Sequence, residues 1–147
     1  MQIQQLNRDN AERVQLIVKN VDGGGSITTG LGVCLVETGA SIDGISAARS
    51  TAATWKGFVG IADADIPING FGTVTSWGYA NSIQFSQVGT SLTITRGDVL
   101  IPGAVAGTFF SGVTSQALST MLYRFGFAAT TGTISAAGQI SGFVRAL

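Results

Sequence analysis

Residues 55–79, WKGFVGIADADIPINGFGTVTSWGY, predict two β-strands and the turn that joins them. An apolar run, Phe58–Ala62, precedes the turn, and a run with alternating apolar residues begins at Phe71. Pro67 and the dipeptide Asn69-Gly70 lie between the runs, and both are turn signals. We expect this segment to be a structural module whose apolar side chains pack inward and whose turn, residues 67–70, lies at the surface.

Composition places the chain among folded proteins with little charged surface. Of 147 residues, 45% are hydrophobic and 11% charged, and eight basic residues balance eight acidic ones. This length suits one domain with a buried core, and the high apolar fraction argues against disorder. Because net charge keeps copies of a protein apart, a neutral chain favours assembly with a partner. A neutral surface rich in Ser and Thr is the alternative.

The rest of the chain shows the same pattern of short apolar runs separated by glycine-containing turns. Residues 14–21 alternate at Val14, Leu16 and Val18, which predicts a strand, although a helix over 9–20 is the alternative. Residues 39–54 are compatible with one weak strand or with a short helix near 47–53, and residues 115–121 with one or two helical turns. The whole pattern predicts an all-β fold, a compact antiparallel β-barrel or sandwich of many short strands with at most one short helix.

The first 13 residues differ from the rest because they are polar. Only Ile3 and Leu6 could anchor this arm to the surface or to a neighbouring molecule. We therefore predict an N-terminal arm, residues 1–13, and one β-barrel-like domain over 14–147. The candidate interface residues are Ile3, Leu6, Trp55 and Tyr79.

An internal repeat is a second level of organisation. Gly60-Ile61-Ala62 is echoed by Gly126-Phe127-Ala128, and the same spacing places Phe143 against Trp77. This favours two similar β-modules, although a chain rich in Gly, Ala and Thr also matches itself by chance. The repeat and the strand patterns together predict these core residues: Ile61, Ile68, Val74, Trp77, Phe127, Ile140 and Phe143.

No constellation of reactive side chains points to an enzyme, a cofactor or a metal site. The chain has no histidine, and Cys34 lies in an apolar run, as a buried free thiol does. Asp63 and Asp65 could share one face of an extended segment, but we interpret them as ordinary loop acids, since a hard cation needs more oxygen ligands. Arg96-Gly97-Asp98 is the tripeptide of some adhesion ligands, and here it predicts a tight turn before a strand.

Several partner classes are also disfavoured. Gly23-Gly24-Gly25-Ser26 lacks the lysine of a phosphate-binding loop. The basic residues are scattered, so we expect no nucleic-acid binding. Neither a signal peptide nor a membrane-spanning run is evident, so we expect no membrane association and synthesis in a reducing cytoplasm.

The glycine-based motifs resemble those of small tailed-bacteriophage capsid decoration (cement) proteins. The resemblance covers roughly 31–147 and rests on Gly60-Ile61-Ala62, Gly72-Thr73-Val74, Gly97-Asp98-Val99-Leu100 and Gly126-Phe127-Ala128, with the end of the chain, 142–147, similar to a closing strand. It implies a compact β-barrel and a non-enzymatic homotrimer on the outer capsid surface of the virion. Its partner would be the major capsid protein, bound across neighbouring subunits to stabilise the shell.

Three other functions are compatible with the sequence. A phage tail or baseplate component would have the same composition. A carbohydrate-binding β-module would use Trp55, Trp77 or Tyr79 for stacking on a sugar. A hydrolase that uses Asp63 and Asp65 has the least support, because the sequence offers no paired side chain to act as the base.

Overall fold

The computed structural model describes residues 13–36, 44–51, 54–86, 92–103, 105–111, 125–134 and 137–146. The predicted all-β class is confirmed, and the described helical content is one 3-10 turn, Trp55–Gly57. Ile3, Leu6 and the possible helix at 115–121 lie outside the described residues. The strands are β1 Val14–Asn20, β2 Gly32–Leu35, β3 Ser46–Arg49, β4 Phe58–Ala62, β5 Phe71–Ser86, β6 Leu92–Ile94, β7 Leu100–Pro102, β8 Phe109–Ser111, β9 Gly126–Ala128, β10 Gly132–Ile134 and β11 Ala137–Arg145.

Five strands close a first barrel. The order is β1-β3-β2-β4-β5, and β5 returns to pair with β1. β1 is a strand and not the alternative helix, as its alternating, partly β-branched residues predicted. The barrel is mixed, since β1 and β3 run parallel while its other pairs are antiparallel.

The second half of the chain forms a second ring of strands with the same order. The C-terminal part of β5 pairs with β11 and, in parallel, with β8. β8 pairs with β7, and β9 pairs with β11. A single bridge between Val99 and Phe127 closes the ring between the β7 and β9 segments. β5, at 16 residues, therefore closes the first barrel and opens the second.

The strand register shows that the two barrels repeat one motif. The pair Val18↔Gly72 in the first barrel recurs as Phe85↔Gly138 in the second, 67 and 66 residues further along. The pair Gly32↔Ile61 recurs in the same way as Val99↔Phe127. The two-module interpretation of the sequence thus has a direct structural counterpart.

The interiors of the two barrels are filled by similar sets of residues. One buried cluster fills the first barrel with Val18, Ile27, Val33, Ala47, Ala62, Ile66 and Val74. The equivalent positions in the second cluster are Phe85, Ile94, Leu100, Phe109, Ala128, Ile134 and Ile140. The second cluster also holds aromatic rings contributed by the 3-10 turn and β4, so it extends beyond its own barrel.

Three of the predicted core residues, Ile61, Val74 and Ile140, are buried, and four are not. The prediction is wrong for Ile68 (51% exposed), Trp77 (39%), Phe127 (48%) and Phe143 (47%). Ile68 lies in the surface turn before β5, where its place in the core is taken by the fully buried Ile66, packed over Gly72. The three aromatic residues occupy outward positions of their strands, because successive side chains of a strand point to opposite faces.

The prediction that Trp55 lies at an interface is also wrong. Trp55 is 4% exposed and packs in an aromatic cluster with Phe58, Phe109 and Phe125, at ring-centroid distances of 5.6, 5.2 and 5.1 Å. The 3-10 turn at the start of β4 directs the indole into the core of the molecule. Trp55 is therefore not available to a partner in the folded chain.

Two glycines hold equivalent strands at close approach. Gly60 in β4 and Gly126 in β9 have φ angles of 155° and 153°. A Cβ on Gly60 would collide with the backbone of Thr75, and a Cβ on Gly126 with the backbone of Phe143. Such φ values are essentially restricted to glycine. This explains why the Gly-x-Ala motif occurs at the same place in both barrels.

Candidate interaction site

The outward side of β5, β9 and β11 carries an apolar surface that we call the aromatic face. Strand pairing sets Phe127 opposite Phe143 and Phe143 opposite Tyr79, so these three side chains form one row. A second row is formed by Arg145, Trp77 and Val14, since Trp77 pairs with both β11 and β1. The aromatic face comprises Val14, Trp77, Tyr79, Phe127, Phe143 and Arg145.

Ring contacts fix the geometry of this face. The rings of Tyr79 and Phe143 meet edge to face, with centroids 6.2 Å apart and an interplanar angle of 68°. The guanidinium carbon of Arg145 lies 5.9 Å from the centroid of the Trp77 ring, a cation–π contact. Because all six side chains stand on paired strands, the face is held rigidly before any partner arrives.

A second exposed apolar surface lies on the first barrel. Ile17 on β1 is 66% exposed and Phe71 on β5 is 62% exposed. Lys19 stands directly opposite Phe71, and Thr73 opposite Ile17. We call Ile17, Lys19, Phe71 and Thr73 the barrel-1 patch.

The two aspartates singled out in the sequence do not form a joint site. The Asp63 carboxylate accepts hydrogen bonds from Arg13 and Gln15 at 2.8 Å and from Thr75 at 2.6 Å. Asp65 instead accepts bonds from the backbone N–H and the hydroxyl of Thr29, and the backbone bond lowers the pKa of Asp65 most. Asp63 therefore ties its loop to β1 and β5, whereas Asp65 ties the same loop to the turn at Thr29.

A small polar cavity of about 150 Å³ lies beside the Asp63 ion pair. Thr29, Asn81 and Ser82 contribute to its lining, and the buried hydroxyl of Ser82 has no hydrogen-bond partner among the described residues. The described residues contain no group of three or more metal-ligating side chains. The cavity therefore offers hydrogen-bonding groups.

The glycine-rich loop after β1 is anchored by a partly buried ion pair. Asp22 accepts hydrogen bonds from the Gly24 N–H at 2.7 Å and from Arg49 Nε at 2.7 Å. The side-chain bond from Arg49 is the main reason that the pKa of Asp22 falls to about 2. Asn20, fully buried, holds the other side of this loop through the carbonyls of Gly25 and Ile66. The loop is a structural connection, and the basic side chain beside it, Arg49, is paired with Asp22.

The Arg96-Gly97-Asp98 tripeptide is a tight turn. Asp98 accepts the Thr95 N–H at 2.8 Å, and Arg96 Nε donates to the carbonyl of Ala129 at 2.8 Å. Gly97 has a φ of 92°, and its N–H donates to Ala128 in the same way that Gly30 donates to Ala62 in the first barrel. The tripeptide therefore belongs to the repeated fold.

Sequence reasoning missed the aromatic face, although one signal pointed to it. Gly142, Val144 and Ala146 alternate with Phe143 and Arg145, so the larger side chains of β11 share one side of the strand. Val144 is buried and Arg145 exposed, which places the side of Phe143 in solvent. Tyr79, expected at an interface, does lie on this face and is half-buried. Cys34 is buried, as expected.

Helices that could cross a bilayer are not found in the part of the chain that the structure describes. No protein-family model and no curated protein matches the chain. Among solved structures, the chain is similar to the head fiber gp8.5 N base of bacteriophage phi29, with 15% sequence identity and a TM-score of 0.49. That similarity covers 92% of this chain and 96% of the other. At this degree of similarity no family is assigned.

Proposed function

We propose that the chain is a structural virion protein, a capsid decoration or cement protein bound to the outer capsid surface. It binds across neighbouring subunits of the major capsid protein as a homo-oligomer, expected to be a trimer, and stabilises the shell. The resemblance of its glycine motifs to decoration proteins supports this proposal. It has no enzymatic role in this proposal, because contact area alone stabilises a shell by binding the assembled state.

The barrel-1 patch is the observation that carries the proposal. Ile17 and Phe71 are the two most exposed large apolar side chains among the described residues, and they stand on paired strands of a closed barrel. Large apolar side chains that stand together on a rigid surface mark a candidate contact site for a partner. Lys19 beside Phe71 provides a positive charge that favours an acidic partner surface.

Capsids that lack this protein provide the test. Added wild-type protein should co-sediment with them and raise the temperature at which the shells release their contents. The variant Phe71→Glu should bind at least tenfold more weakly, because a charge replaces a buried apolar contact. Thr133→Glu is the matched control, since Thr133 is exposed on β10, outside both surfaces. Equal binding of Phe71→Glu and wild type would contradict the patch, and unchanged heat resistance would contradict the stabilising role.

A tail or baseplate component is the closest alternative, and it would present the same kind of surface. Electron micrographs of virions labelled through this chain separate the two. Label on the head supports the decoration role, whereas label on the tail refutes it.

A carbohydrate-binding module is the second candidate function, favoured by the exposure of Trp77 beside Tyr79. Stacking on a sugar needs an open ring face, and Arg145 covers one face of Trp77. Trp55, another residue predicted to stack on the sugar, is buried. Binding on a glycan array that disappears in a folded Trp77→Ala variant would support this function over the virion role.

A further inference from the structure

We propose that the aromatic face is the surface through which copies of this chain associate with one another. This inference rests on the proposed function only for the expectation that the chain forms a homo-oligomer. It names the surface through which that oligomer forms. The occupant of the face is a second copy of the chain, and the barrel-1 patch remains free for the capsid.

The chemistry of the face is that of a permanent interface. Five of its six side chains are Val, Trp, Tyr or Phe, and it contains no carboxylate. Interfaces between identical subunits are more apolar than transient ones, and their centres are enriched in aromatic residues and Arg. Residues of this kind also account for most binding energy when they cluster at an interface centre.

The exposed area is right for the centre of such an interface. Trp77, Phe127 and Phe143 are 39%, 48% and 47% exposed. If a ring presents about 200 Å² when fully exposed, these three leave roughly 250 Å² of aromatic surface in water. A stable complex buries about 800 Å² on each partner, so the face would form about a third of it, surrounded by more polar barrel surface.

The electrostatics of the face do not require an acidic partner. Its single charge, Arg145, lies over an aromatic ring within its own chain. A second copy supplies further ring faces, which attract a guanidinium, and no acid that would need a different partner. The zero net charge of the chain removes long-range repulsion between copies.

Pre-organisation lowers the cost of association. Cross-strand pairing and the edge-to-face contact hold Tyr79 and Phe143 in place within the single chain. Side chains that are already fixed lose little conformational entropy on binding.

Trp77 makes this association directly observable. The chain has two tryptophans, and Trp55 is buried while Trp77 stands on the face. Sedimentation equilibrium of the full chain over a range of concentrations should show an oligomer. Over the same range, iodide quenching of tryptophan fluorescence should fall as Trp77 becomes covered. A strict monomer, or an oligomer in which Trp77 stays equally accessible, overturns the proposal.

Variants then test the surface itself. Phe127→Ser should raise the dissociation constant of the oligomer by roughly tenfold or more. Phe71→Ser is the control, since Phe71 is 62% exposed but lies on the barrel-1 patch, and it should associate like wild type. Circular dichroism verifies that each variant is folded. If Phe127→Ser is not folded, the quenching of Trp77 in the wild-type chain tests the proposed surface. Association of folded Phe127→Ser equal to wild type refutes the assignment.

Capsid co-sedimentation separates the two proposals. A monomeric wild-type chain that binds capsids overturns the self-association surface and leaves the decoration role intact. An oligomeric chain with a protected Trp77 that binds no capsid supports this surface and refutes the decoration role.

Discussion

Replacing Gly126 by alanine tests the double-barrel architecture at its closest backbone contact. The new Cβ would collide with the carbonyl oxygen of Phe143 and lie 2.8 Å from its carbonyl carbon. β9 and β11 would have to separate, and Gly126 would also keep a φ of 153° that an L side chain rarely adopts. The backbone strain costs about 1–3 kcal/mol, and displacing a packed strand costs a similar amount. We expect Gly126→Ala to lower the free energy of unfolding by about 4 kcal/mol.

Urea unfolding followed by circular dichroism measures this change. With an m-value of about 2 kcal/mol/M, a loss of 4 kcal/mol lowers the urea midpoint by about 2 M. Gly60→Ala should behave alike, because its Cβ would meet the carbonyl of Thr75 at the equivalent place in the first barrel. Both variants should unfold in one transition, since β5 belongs to both barrels.

Gly132→Ala is the matched control within the same chain. A Cβ there would lie 3.8 Å from Ile140 Cγ2, an ordinary contact, and Gly132 has no positive φ. Its effect should stay within about 1 kcal/mol. If Gly126→Ala also stays within that range, the close approach of β9 and β11 is wrong. If only Gly60→Ala is harmless, the equivalence of the two barrels is wrong.

Three further predictions concern the buried polar and aromatic groups. Asn20→Ala should lower the free energy of unfolding in urea by about 2–4 kcal/mol. The buried Ile66 carbonyl loses its 2.9 Å side-chain donor, and the Asp22 N–H loses its 2.8 Å acceptor. A change below about 1 kcal/mol would contradict these bonds. The pKa of Asp22 is lower in the folded chain, about 2 against 3.8, so its stabilisation is complete above pH 4 and is lost as the pH falls toward 2. The urea midpoint of wild type should therefore fall more steeply over this window than that of Asp22→Asn, and parallel curves would refute the ion pair. Phe109→Ala should cost about 3–5 kcal/mol, since Phe109 is fully buried against Trp55 and Phe85, and a cavity would remain; near-wild-type stability would show that the second core is not packed as described.

Alternation and turn residues were sufficient to predict β1, β4 and β5, but not β3, where a short helix was the alternative, or β10, whose Gly132 was predicted in a turn. The runs before and after the turn at 67–70 became β4 and β5, and the alternation of Val14 and Leu16 became β1. The length of β5 was not predictable in this way. Thr75 and Ser76 are both buried in it, so the alternation is interrupted where the strand passes from one barrel to the other. A window of sequence at that point contains no single period.

The side of each strand that faces the core was harder to predict than the strand itself. Trp77 and Phe143 each lie just beyond a shift in strand register, and both are exposed. Alternation identifies the residues that share a face, and it does not identify which face is buried when both carry apolar residues. Gly142 and Val144 occupy the inward positions of β11, so Phe143 between them is left outside.

The repeat is faint in sequence because its two interiors differ in volume. Val18, Val33 and Ala47 of the first barrel correspond to Phe85, Leu100 and Phe109 of the second. Core side chains can change together as long as the total volume is filled. The backbone contacts at Gly60 and Gly126 allow no such exchange, since any side chain collides there. Glycines therefore preserve the repeat that the core residues obscure.

The difference between interior and exposed positions bears on the role of the aromatic face. Interior positions of the two barrels changed from small to large residues, yet the exposed positions of Trp77 and Phe143 are both large and aromatic. Neither barrel needs an aromatic ring in solvent to close its sheet, because the cores are filled by other residues. Exposed rings that cluster on one face are the kind of surface that contacts another molecule. A second copy of the chain meets that requirement with the same face, and the quenching of Trp77 at increasing concentration decides whether it does.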